Sequence, residues 1–225
     1  MDQKPRELIA PARQGYAAGM DTEKYFYEPA SGHGLAHDPF NAIVGPRPIG
    51  WVATKGADGS VNLAPYSFFT AFNYHPPIIG FSSIGAKDSL RNVRETGEFV
   101  WNLTTRALGA AMNESSATVP YGVDEFALAG LTKAPSRLVA PPRVAESPVN
   151  FECKLADIIQ LKSAAGVLVP TWLVLGEVVG VHIDPALLPG GVFDTFGAGI
   201  LLRAGGATAY AEIQPQTRLD MSRPK

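Results

Sequence analysis

The sequence predicts a mainly β protein, a closed or half-closed antiparallel barrel with short capping helices. Three observations predict it. From Asn41 onward, short runs rich in Val, Ile, Leu and aromatic residues recur, each bounded by Gly, Pro, Asn or Asp. Only three stretches carry helix signals, and all are short. No internal repeat organises the strands, and closure is the economical way to leave few exposed edges. The 225 residues suit one large domain, and a hydrophobic share of 46% provides a sizeable core.

Residues 1–38 are polar and Gly-rich with no sustained period, and read as an N-terminal extension; residues 39–215 read as the domain. Arg47 to Lys55 is the first strand, with Pro46 and Pro48 at its start, where a missing N–H matters least. Ala57-Asp58-Gly59-Ser60 is a hairpin turn. Val61 to Tyr74 returns, interrupted at Pro65, which implies an edge or a bulge. Ile78 to Ser82 and Phe99 to Leu103 are further strands. Between them Asp88 to Thr96 has a helical apolar face in Leu90 and Val93, with Asp88 or Ser89 as its cap and Gly97 as its stop. Arg106 to Glu114 and Asp124 to Ala129 are the other helices, and Ser136 to Pro148 is a Pro-rich loop. Val149 to Leu161 and Thr171 to Asp184 are long strands. Pro185 to Gly191 is a loop. Ile200 to Arg203 and Thr208 to Tyr210 flank a Gly-Gly turn.

Charge and cysteine usage exclude several classes. Lys plus Arg is 19 and Asp plus Glu is 21, so the net charge is −2. Such a chain has no basic footprint for nucleic acid and no membrane-binding field. The polar start, Met1 to Gln14, has no apolar stretch of a secretory signal, and no run reaches transmembrane length. With the lone Cys153 these features predict a cytoplasmic protein without disulfides. Cys153 lies in an alternating strand and reads as a packed residue. Of four histidines only His33 and His37 are close, with no third ligand, so no metal site is expected.

Two segments carry candidate chemistry. Ser82-Ser83-Ile84-Gly85-Ala86-Lys87-Asp88-Ser89 leaves a strand, passes a glycine and enters a helix. Unpaired amides, a lysine and three hydroxyls there fit a phosphate monoester; they also fit a capped surface helix with a solvated lysine. Asn62-Leu63-Ala64-Pro65-Tyr66-Ser67-Phe68-Phe69 is broken by proline. Its freed backbone groups can meet the edge of a planar heterocycle, or it is a bulged edge strand with packed aromatics.

These segments, with Pro46-Arg47-Pro48-Ile49-Gly50-Trp51-Val52-Ala53-Thr54, Pro76-Pro77 and Phe81-Ser82, Lys87-Asp88-Ser89 with Asn92, Thr96-Gly97-Glu98-Phe99-Val100 with Asn102, Gly176 to Ile183, and Arg203 with Gly205-Gly206 and Tyr210, resemble the flavin reductase-like proteins over roughly residues 40–211. The resemblance implies an antiparallel split β-barrel that dimerises and holds FMN near the interface. It implies hydride transfer from NAD(P)H to flavin, with a monooxygenase or other electron-acceptor protein downstream; a non-enzymatic electron carrier is the alternative. Lys87, Asp88 and Ser89, with Ser82 or Ser83, become phosphate ligands. Ala64, Pro65, Tyr66, Ser67 and Phe68 become the strip facing the isoalloxazine, with Trp51, Val52, Ala53 and Thr54 beside it and Asn62 as a polar contact. Ala53 departs from the family, where relatives often carry Ser. His182 is either the wall of the flavin's open face, and so the catalytic candidate, or a core imidazole. Arg203 either reaches the ligand or makes a structural ion pair.

Overall fold

The computed structural model describes residues 24–224. Residues 24–38 and the body from Pro39 are separate compact units. In the first, a 3-10 turn spans Pro29–Ser31. Tyr25 donates to the His33 carbonyl (3.0 Å), and His33 Nδ1 accepts the Leu35 amide (3.0 Å).

The body opens with α1 (Phe40–Ile43) and β1 (Arg47–Pro48), then β2 (Gly50–Lys55), β3 (Val61–Tyr66), β4 (Phe69–Asn73) and β5 (Ile78–Ile84). Helix α2 (Asp88–Thr96) leads to β6 (Glu98–Asn102). A 3-10 turn, α3 (Gly109–Glu114) and α4 (Glu125–Leu128) follow, then the small pair β7 (Lys133–Ala134) and β8 (Arg143–Val144). The long strands are β9 (Val149–Lys162) and β10 (Leu168–Ile183). The loop after them holds two 3-10 turns, and β11 (Leu201–Arg203) and β12 (Tyr210–Glu212) join β1 in a small sheet. Three short elements are not evident in the sequence: α1, β7 and β8, the last inside the Pro-rich loop and paired with β7 ahead of it.

The main sheet has seven antiparallel strands in the order β3-β2-β6-β9-β10-β5-β4. It curls into a half-barrel. Tyr66 on one edge strand meets Phe81 of β5, next to the other edge, with ring centroids 4.5 Å apart. The stretch that reads as one strand, Val61 to Tyr74, is therefore two strands at opposite edges of the sheet. The break falls at Ser67-Phe68, not at Pro65. Leu63 turns its N–H outward to Glu125, and Pro65, two residues on, faces the same way. A missing N–H on that side costs the ladder nothing, so Pro65 stays in the edge strand opposite Trp51.

Both faces of the sheet are covered. Val52, Tyr66, Phe81, Leu90, Val93, Phe99 and Val174 fill the inside of the curl, where α2 packs. Trp51, Ala53, Leu63, Val100, Met112, Phe126 and Val144 fill the outside, under α3, α4 and β8. Strand β2 is thus buried on both sides, as its near-continuous apolar run requires. Cys153 is a buried core residue whose thiol pKa burial pushes up. Helix α2 keeps the expected bounds, and Gly97 ends it in the left-handed region (φ 72°). Neither Asp88 nor Ser89 caps it: the cap position is Lys87, and no side chain bonds the first amides.

Gly176 of β10 is required by close approach. A Cβ there would lie 2.3 Å from Phe99 Cε1, and the Phe99 ring is locked edge-on against Phe81 at 5.6 Å. Gly176→Ala should therefore destabilise the fold by about 1–3 kcal/mol through overpacking. Denaturant titration checks this; an unchanged midpoint would mean that the ring yields freely.

Candidate functional site

A cleft of about 420 Å³ opens between the outward edge of β3 and the start of α2. It brings together Asn62, Ala64, Pro65, Tyr66, Lys87, Asp88 and Ser89. Their convergence follows from local structure. Alternation along β3 sends Leu63 to the outer core. Gly85, at φ 85°, turns the chain from β5 into α2, so Lys87 and Asp88 stand at the mouth and Ser89 is buried beneath them. The main-chain amides that open α2 have no side-chain cap, and helix starts favour anions.

The floor is polar and buried. The Asn62 amide spans Ser89 Oγ (2.9 Å) and Glu125 Oε1 (3.2 Å). Glu125, at the first turn of α4, is 5% exposed and accepts the Leu63 amide through Oε2 (3.0 Å). Desolvation raises its pKa above the ordinary carboxylate value, the Leu63 amide opposes this, and the charges of Asp88 and Asp124 add to the rise. The Tyr66 hydroxyl is buried without a hydrogen-bond partner, and burial raises the phenol's pKa despite the nearby Ser89 and Ser83 hydroxyls.

The far wall is Ser115, Ser116, Ala117, Thr118 and Val119, a strap between α3 and α4. Trp51 Nε1 donates to Ser115 Oγ (2.9 Å) at one end of the strap. At the other end Tyr121 meets Ser60 Oγ (2.6 Å) and lies under the Arg91 guanidinium. The sequence reading missed this wall and Glu125. A hydroxyl-rich run after a short helix was the only local signal, since the contacts that bring it to β3 are long-range.

Other expected ligands lie elsewhere. Trp51, Val52, Ala53 and Thr54 are fully buried and open to none of these clefts. They back the site: Trp51 anchors the strap, and Thr54 Oγ1 accepts from Asn92 of α2 (3.0 Å). Ala53 sits in the outer core, where a serine hydroxyl would be surrounded by apolar side chains. Ser83 is buried and donates to the Gly85 carbonyl (2.8 Å), shaping the turn. Ser82 and Phe68 line a separate apolar cleft of about 330 Å³ beside β4. Ser67 and Arg203 line a small cavity of about 180 Å³ that shares Pro65, Tyr66 and Ser116 with the main cleft.

Among the described residues Arg203 has no carboxylate partner. Its guanidinium closes its own turn, donating to the carbonyls of Ala209 (2.5 Å), Gly206 (2.9 Å) and Ala207 (2.7 Å). His182 shares no cleft with Lys87 or Ser89. Its Nε2 is 2.5 Å from Glu152 Oε1. The buried Glu152 carboxylate also accepts the amides of Arg137 (2.8 Å), Leu138 (2.6 Å) and Val139 (3.2 Å). Desolvation would raise the Glu152 pKa, but those amides and His182 outweigh it and hold the group below its ordinary value. His182 thus belongs to the clasp that fixes the 137–139 loop on β9 and β10.

Fold and site together define the class. The chain belongs to the flavin reductase-like family, whose flavin reductase like domain matches residues 45–197. An uncharacterized protein from Aquifex aeolicus is 42% identical over 151 residues, 65% of this chain and 74% of that one. The solved structure of nitrilotriacetate monooxygenase component B from Bacillus cereus is 32% identical, with a TM-score of 0.73, and the match covers 80% of this chain and 90% of that one. A split-barrel-domain protein from Shewanella frigidimarina, 23% identical, shares the fold with a TM-score of 0.72 over 81% of this chain and 90% of that one. The half-barrel is therefore the split barrel of this family. Among the described residues no helix is long and apolar enough to cross a membrane.

The Glu152 clasp has a pH signature. A carboxylate whose folded pKa is depressed stabilises the fold above its unfolded value, here near 4.5, and that stability is lost as pH falls through the folded value. Glu152→Gln should cost about 1–3 kcal/mol at neutral pH by leaving amide donors unmatched. It should also flatten the decline below pH 4.5. Urea midpoints at several pH values check this; an identical acid slope in the variant would place the clasp's charge elsewhere.

Proposed function

We propose that the protein binds FMN in the β3–α2 cleft and, as a flavin reductase-like oxidoreductase, carries hydride from NAD(P)H to the flavin. The observation that carries this reading is the meeting of Lys87 and Ser89, at the uncapped start of α2, with the outward edge of β3. The cleft's volume, about 420 Å³, lies within the usual range of small-molecule sites, roughly 300–1,000 Å³.

A bound flavin supplies the hydride chemistry; the protein supplies position and electrostatics. Lys87, Ser89 and the first amides of α2 would hold the phosphate. The carbonyls of Leu63 and Pro65 point off the sheet's ladder and would accept a ring N–H. The Ser115–Val119 strap keeps water off the polar floor. Trp51 to Thr54 hold these groups in place from behind, and neither His182 nor Arg203 is assigned a catalytic part.

The partner is a downstream flavin-using protein of the monooxygenase kind, a reading supported by the likeness to a monooxygenase component B. A homodimer is supported by aromatic side chains on and beyond the edge strand β4, where Phe72 is 51% and Tyr74 80% exposed. The single, buried Cys153 suits a cytoplasmic setting.

Charge-assisted bonds to phosphate contribute on the order of 1.5–3 kcal/mol. Lys87→Ala should therefore weaken FMN binding by about ten- to a hundredfold and leave riboflavin binding unchanged. Flavin fluorescence titration checks this, and an unchanged FMN constant would return Lys87 to a solvated face. NADH or NADPH should bleach the bound flavin's absorbance; bleaching by neither would leave an electron carrier without its own turnover.

A further inference from the structure

Glu125 is a buried carboxyl on the floor of a cleft that has one lysine at its mouth. Among the described residues Lys87 is the only cation lining the cleft, and two carboxyls, Asp88 and Glu125, line it too. With both carboxyls ionised the lining carries a net negative charge, which opposes an anion; with Glu125 protonated it is neutral. The charged and titratable groups facing Glu125 are few. From β3 comes the Tyr66 phenol, and from the start of α2 come Lys87 and Asp88. From α4's own cap comes Asp124, which is paired with Lys133. The strap contributes only uncharged Ser115, Ser116, Ala117, Thr118 and Val119.

Asn62 transmits the protonation state of Glu125. Its amide lies 3.2 Å from Glu125 Oε1 at one end and 2.9 Å from Ser89 Oγ at the other. When Glu125 is ionised, the Asn62 NH₂ donates to Oε1. The amide oxygen then accepts the Ser89 hydroxyl proton, which occupies that donor. When Glu125 is protonated, its Oε1–H donates to the amide oxygen, and the amide turns over. The NH₂ then donates to Ser89 Oγ, and the Ser89 proton is free to point into the cleft. Oε2 accepts the Leu63 amide in both states, so the backbone of β3 is unmoved.

We propose that Glu125, Asn62 and Ser89 form a proton-coupled relay through which the cleft takes up an anionic phosphate together with one proton. Glu125 is the residue that makes the preference for a phosphorylated over an unphosphorylated ligand depend on pH. This rests on the reading that the cleft receives the phosphate of FMN. No bond other than the O–H bond of the Glu125 carboxyl is made or broken; the proton comes from solvent. Desolvation, with the charges of Asp88 and Asp124, favours the protonated acid, and a bound phosphate adds a further negative charge to the same side.

The test is titration of FMN and of riboflavin from pH 4.5 to 8.5 against the wild type and Glu125→Gln, a neutral near-isostere that still accepts from Leu63. The relay predicts that the wild-type FMN dissociation constant rises by roughly tenfold across this range, while that of riboflavin stays flat. In Glu125→Gln the FMN constant stays near the wild-type value at low pH. Ionisation of the FMN phosphate itself is common to both proteins and cancels in the comparison. Calorimetry of the wild type in buffers of different ionisation enthalpy gives a readout independent of any variant. It should show proton uptake with FMN that reaches a maximum within this range and is absent with riboflavin. Parallel pH profiles in wild type and Glu125→Gln, or no such uptake, overturn the relay. If the pH profiles are parallel but Lys87→Ala still weakens binding of FMN and not of riboflavin, the phosphate site stands and only the relay is removed. Equal affinity for FMN and riboflavin at every pH removes both.

Discussion

Arg47 holds the point where the edge of the sheet passes from one side of the half-barrel to the other. Its Nε donates to the Ser67 carbonyl (2.9 Å), its Nη1 to the carbonyls of Asn41 and Val44, and its guanidinium lies 5.5 Å from the Phe68 ring. The group is nearly buried, and a buried guanidinium must have its donors satisfied. The Ser67 carbonyl and the Phe68 ring belong to the two residues between β3 and β4, so the guanidinium ties that break to the chain at Asn41 and Val44. Because Ser67 and Phe68 are pinned there, β3 and β4 cannot continue as one strand, and each becomes an edge.

The candidate site follows from that division. An edge strand has one row of backbone groups with no ladder partner. On β3 this row faces Glu125, the strap and the start of α2, and the proline in it removes one donor without leaving an unmet bond. On β4 the corresponding edge borders an apolar cleft. The adjacent strand β2 is buried on both faces and makes the rigid wall behind the site. One split in one stretch of chain thus yields a polar, ligand-sized cleft on one side and an apolar edge on the other.

Local pattern made much of the frame legible. Helix α2 could be delimited because its apolar face, its proline-free run and the left-handed Gly97 are all local. The turn at Asp58-Gly59 and the two long strands β9 and β10 were equally plain. Cleft residues on β3 and at the start of α2 were legible because they lie on two short segments with distinctive composition. What failed was long-range. Arg47 is 20 residues from Ser67, Glu125 is 62 from Leu63 and Glu152 is 30 from His182. No local window contains these pairs, so the Glu152 partner of His182 was not legible; the carbonyl partners of Arg203 lie three to six residues on, but a turn closed by its own arginine has no distinctive composition. Trp51 to Thr54 are buried behind the cleft: adjacency to a site in sequence does not tell whether a side chain lines the cavity or supports it.

The central claim is that the unpaired edge of β3 and the open start of α2 receive one ligand between them. A crystal structure of the protein with FMN tests it most directly. The account predicts the phosphate within hydrogen-bonding distance of Lys87 Nζ and Ser89 Oγ, with the ring's polar edge against the Leu63 and Pro65 carbonyls. A flavin seated instead in the apolar cleft beside β4, or against His182, would contradict it.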